Sequence, residues 1–83
     1  MAATTSAKDY VDSLSPEEFK KISSIKDTTS FYLFLAEPCK DDIKTASLAI
    51  SCDQAGIPEV YWGSSEALHR LVVAISNRMN GNA

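Results

Sequence analysis

A chain of 83 residues, 45% apolar and 23% charged, has room for one hydrophobic core and reads as a single globular domain rather than a disordered segment. Eight basic residues against eleven acidic ones leave a net charge of −3 and no basic stripe, which argues against sequence-general binding to nucleic-acid phosphates. Cys39 and Cys52 form no CxxC pair and His69 is the only histidine, so one chain lacks the ligands for a zinc site.

Residues 1–5 are small and polar and read as a disordered tail, matched by a frayed end at 81–83. The N-terminus has no apolar h-region, and no run approaches transmembrane length. The expectation is a cytoplasmic protein without a membrane anchor, its two thiols reduced. Between Ser6 and Leu14, Tyr10, Val11 and Leu14 share a helical face, and Lys8 can pair with Asp12. A second helix opens at Ser15-Pro16-Glu17-Glu18. Ser15 caps, Pro16 suits the first turn, and Glu18 closes an S-x-x-E box. Phe19, Ile22 and Ile25 continue it as an apolar stripe that stops before the Asp27-Thr28-Thr29 loop.

Three strands are expected next. Phe31 to Ala36 is aromatic and aliphatic on both faces, the pattern of a central strand. Glu37-Pro38 ends it, and 39–45 is a polar connection. Ser47 to Cys52 alternates, with Leu48, Ile50 and Cys52 on one side. Asp53 to Gly56 is a turn, and Glu59 to Trp62 resumes alternation. Gly63-Ser64-Ser65 then opens a long helix. Its core stripe is Leu68, Leu71, Val72, Ile75 and Met79, Glu66 can pair with Arg70, and Asn80-Gly81 ends it. The fold expected is therefore α+β. In an α-β-β-β-α order, a three-stranded antiparallel sheet carries helices on one face.

Catalytic machinery is sparse. His69 is the only available base and falls on the polar side of the last helix, where it should face solvent. Nothing local activates Cys39 or Cys52, and Asp41-Asp42 lies on a polar loop away from any apolar segment that would raise its pKa. The chain is not expected to be an enzyme, and no cofactor or metal is implied. Two binding readings stand side by side. In the first, helices cover only one sheet face. Tyr32 and Phe34, with Tyr61 and Trp62 nearby, are left as an aromatic patch for a protein partner or a second copy in a homodimer. In the second, Gly63, Ser64, Ser65 and Arg70 hold a nucleotide or other anion at a helix N-terminus, although no Walker or dinucleotide glycine pattern is present. The first is preferred. By analogy of type alone, a small acidic domain of this size suits an inhibitor or regulator of a larger protein, such as phages and mobile elements carry.

Overall fold

The computed structural model describes residues 6–81 and contains no strand among them. Five α-helices follow in order: α1 Ala7–Ser13, α2 Pro16–Ile22, α3 Thr29–Ala36, α4 Asp42–Gln54 and α5 Ser65–Met79. Short 3₁₀ segments at Ser23–Asp27 and Glu59–Tyr61 join α2 to α3 and lead into α5. The α+β expectation, with its antiparallel sheet, is overturned. The expected tail at 1–5, and residues 82 and 83 of the expected frayed end, lie outside the described residues.

The outer helices form where their signals place them. Ser6 caps α1 by accepting from the Asp9 amide, and Lys8 reaches Asp12 at 2.8 Å. At α2 the capping box is complete: Ser15 Oγ accepts from the Glu18 amide at 3.1 Å, and Glu18 Oε1 accepts from the Ser15 amide at 2.9 Å. These bonds to Ser15 hold the Glu18 carboxyl below its ordinary pKa. Its contribution is present above the usual glutamate range and is lost as pH falls through the lowered value. Ser15→Ala is expected to cost about 1 kcal/mol of unfolding free energy at neutral pH. Urea denaturation reads this as a lower midpoint with an unchanged slope.

The middle of the chain is helical where strands are expected. Six consecutive apolar residues, Phe31 to Ala36, fit a strand buried on both faces or a buried helix equally well. The helix wins. Phe31 and Phe34 turn inward together at i, i+3, while Tyr32 and Leu33 face out. Residues 47–52 belong to a longer helix that begins inside the expected polar connection. Asp41 Oδ1 accepts from the Lys44 amide at 3.0 Å, an N-cap that begins α4 five residues before the expected strand. Leu48 and Cys52 are buried at i, i+4, whereas Ile50, which alternation would place beside them, is 58% exposed.

Gly56 ends α4 rather than turning a hairpin. Its φ is +82°, its amide bonds the Asp53 carbonyl at 3.0 Å, and the Ile57 amide bonds the Cys52 carbonyl at 3.1 Å. That pair of bonds is a Schellman ending, and buried Ile57 seals it against buried Cys52. The third expected strand, 59–62, is a 3₁₀ turn followed by Trp62.

The core is built around α5. Leu68, Leu71, Val72, Ala74 and Ile75 are buried on it, against Val11 of α1, Phe31 and Phe34 of α3, and Leu48 and Cys52 of α4. Met79, expected in the stripe, is 42% exposed. Arg78 ties the two ends of the chain together. Its Nη1 donates to the Val11 carbonyl at 2.5 Å and the Leu14 carbonyl at 2.8 Å, satisfying the open end of α1, while its guanidinium lies 4.4 Å from the centre of the Phe19 ring.

Candidate functional site

The four aromatic residues expected to share one exposed face are separated. Tyr32 is 63% exposed on α3, but Phe34 is fully buried two positions later. In a strand they would lie side by side; in a helix they are about 200° apart. Phe34 therefore belongs to the core and leaves the set expected to face a partner. Tyr61 is half-buried, stacked on Tyr10 with ring centres 4.3 Å apart. Trp62 is half-buried too, its Nε1 donating to the Ile57 carbonyl at 2.6 Å. Both hold the segment before α5 in place.

The four residues expected to hold an anion are also divided. Ser64 caps α5 by accepting from the Ala67 amide at 3.1 Å. Ser65 donates to the Cys39 carbonyl at 2.5 Å, tying the start of α5 to the connection before α4. Gly63 sits in a tight place, since a Cβ there would stand 3.0 Å from the Glu59 carbonyl oxygen and one of the two would have to give by a few tenths of an ångström. Arg70 lies elsewhere, in a cavity between α5 and α1. Glu66 and Arg70 form no ion pair; the one salt bridge among the described residues is Lys8–Asp12. The start of α5 instead borders an open cleft of about 960 Å³ that also reaches Glu37, Lys40, Asp42 and Thr45.

The nucleophile and base candidates are occupied in the fold. His69 was expected to face solvent; it is half-buried, with Nδ1 2.5 Å from the Phe34 carbonyl. A carbonyl only accepts, so Nδ1 carries the proton and His69 closes the last turn of α3. Cys52 is buried, and desolvation pushes its thiol up to about 12, far from a reactive thiolate. Cys39 is half-buried and forms no disulfide, and its sulfur accepts from the Asp41 amide at 3.5 Å. No group of three or more potential metal ligands gathers among the described residues. No described helix is long and apolar enough to cross a membrane.

What sequence reasoning missed is the outer surface of α3 and α4. Tyr32 and Leu33 on α3, and Ile43 and Ile50 on α4, are 63%, 42%, 82% and 58% exposed. The two helices pack on each other, and Thr28 Oγ1 meets Ser51 Oγ at 3.1 Å where α3 begins. On α4, Ile43, Ala46 and Ile50 fall at i, i+3 and i+7, all exposed, opposite Leu48 and Cys52. Asp41 as a cap and the Leu48–Cys52 spacing could have revealed α4, and with it this outward apolar row. No family model, curated protein or solved structure matches the chain.

Proposed function

We propose that the protein is a small non-enzymatic binding module that engages a larger protein and regulates or occludes it, using the outer faces of α3 and α4. One observation supports this most: among the described residues, four of the six large exposed apolar side chains stand on these two neighbouring helices. Scattered exposed hydrophobics need no explanation, but an apolar row at i, i+3, i+7 facing away from the core is the pattern that docks a helix into a partner's groove. Tyr32 supplies the aromatic anchor that dominates interface energies. It is the one member of the expected aromatic set that stands exposed.

The anion reading at Gly63 to Ser65 has less support, because both serine hydroxyls are used inside the fold. The test is affinity capture from lysate with the wild-type chain, Tyr32→Ala and Ile50→Asp in parallel, followed by mass spectrometry. The expected result is a partner held by wild type and weakened at least tenfold by either substitution, at a temperature where both variants remain folded. Light scattering on the purified chain distinguishes a second copy from a foreign protein. Identical capture by all three chains would overturn the reading.

A further inference from the structure

We propose that the cavity between α1 and α5 binds a small organic anion with an apolar body, of the class of short aliphatic or aromatic monocarboxylates. The cavity measures about 270 Å³. Lys8, His69, Arg70 and Asn77 stand on its rim, and Val73 and Ala74 give it apolar wall. In a chain of net charge −3, none of its lining residues is a carboxylate.

Size and lining select the ligand. Sites for drug-sized molecules run from roughly 300 to 1,000 Å³, and this open depression is smaller than that, which favours a small ligand. An inorganic anion would leave the apolar wall uncovered. A neutral hydrocarbon would leave Arg70 without a partner. A short carboxylate answers both.

Arg70 is the main anchor. It is exposed, has no carboxylate within ion-pair distance among the described residues, and offers the planar fork that grips a carboxylate through two parallel bonds. Lys8 is the second cation. Its bond to Asp12 is a solvent-exposed pair, which contributes little and yields readily to a competing anion. Asn77 adds neutral hydrogen-bonding capacity at the same rim. His69 is fixed in orientation by the Phe34 carbonyl, so this wall of the cavity is preformed. The aromatic and serine residues before α5 take no part.

The experiment titrates the full chain with hexanoate, hexan-1-ol and inorganic phosphate, following backbone amide shifts by ¹⁵N–¹H NMR. Hexanoate is expected to move Ala7, Val73, Ala74 and Asn77 saturably, with hexanol and phosphate each at least tenfold weaker. Arg70→Gln should weaken hexanoate about tenfold, the effect of losing a charge-assisted bond. Arg70 is exposed, so this change leaves the core intact, and the variant's own spectrum reports its fold. Val73→Trp, which fills the cavity from a half-buried position, should abolish the shifts. Equal affinity for hexanol and hexanoate, equal affinity for phosphate, undiminished binding to Arg70→Gln, or no saturable shifts would each overturn the site.

Discussion

Val72→Asp is expected to leave the chain without a cooperative unfolding transition, and Leu71→Ala to lower its unfolding free energy by about 2–5 kcal/mol. Both residues are fully buried on α5, the helix against which α1, α3 and α4 collect. A domain of this length has a total stability on the order of 5 kcal/mol, so the truncation alone removes a large part of it. Aspartate at 72 adds an unpaired carboxylate to an apolar site. The fold must then open or the group must take up a proton. Thermal melts followed by far-ultraviolet circular dichroism read both effects. A wild-type melting curve for either variant would mean that α5 is not the centre of the core.

The helices that could be read from the chain were those with chemical punctuation. Ser15-Pro16-Glu17-Glu18 names its own N-terminus, and the capping bonds form as the residue types require. The long stripe on α5 was equally clear, because its polar and apolar residues sort onto opposite faces. α3 offered neither aid. It has no side-chain cap, and its eight residues are too few for a helical period to separate itself from a strand's alternation.

α4 failed for a different reason, and that reason bears on function. Ile43 and Ile50 sit on the side away from the core, so apolar residues surround the helix and blur its amphipathic signal. Leu48, Ile50 and Cys52 then imitate a strand. The residues that disguised the helix are the ones on which the proposed partner surface rests. A local pattern that contradicts its own fold is expected where something besides folding has shaped the sequence. The expected anion set failed for want of topology. Spacing along the chain could not show that Ser65 would be tied to Cys39 while Arg70 faced α1.

Tyr32 and Phe34 provide the sharpest test of the corrected middle segment. On a strand they share a face, so truncating either should have similar consequences for stability. On α3 they part company. Phe34 is fully buried, and Phe34→Ala is expected to cost about 3–5 kcal/mol, enough to bring the chain close to unfolding at room temperature. Tyr32 is 63% exposed, and its ring meets that of buried Phe31 edge to face, with ring centres 5.4 Å apart and planes at 84°. Such a contact is worth about 0.5–1.5 kcal/mol, and Tyr32→Ala should lose no more than that. The order reverses for binding, because Tyr32→Ala removes the aromatic anchor of the outer face while the fold stays intact. Urea midpoints of the two variants, measured beside capture of the partner at a temperature where both are folded, separate the roles. Equal losses of stability would restore the shared face of a strand and sink the helical reading of 29–36. A stable Tyr32→Ala that captures its partner as well as wild type does would leave the helix standing and remove the surface proposed on it.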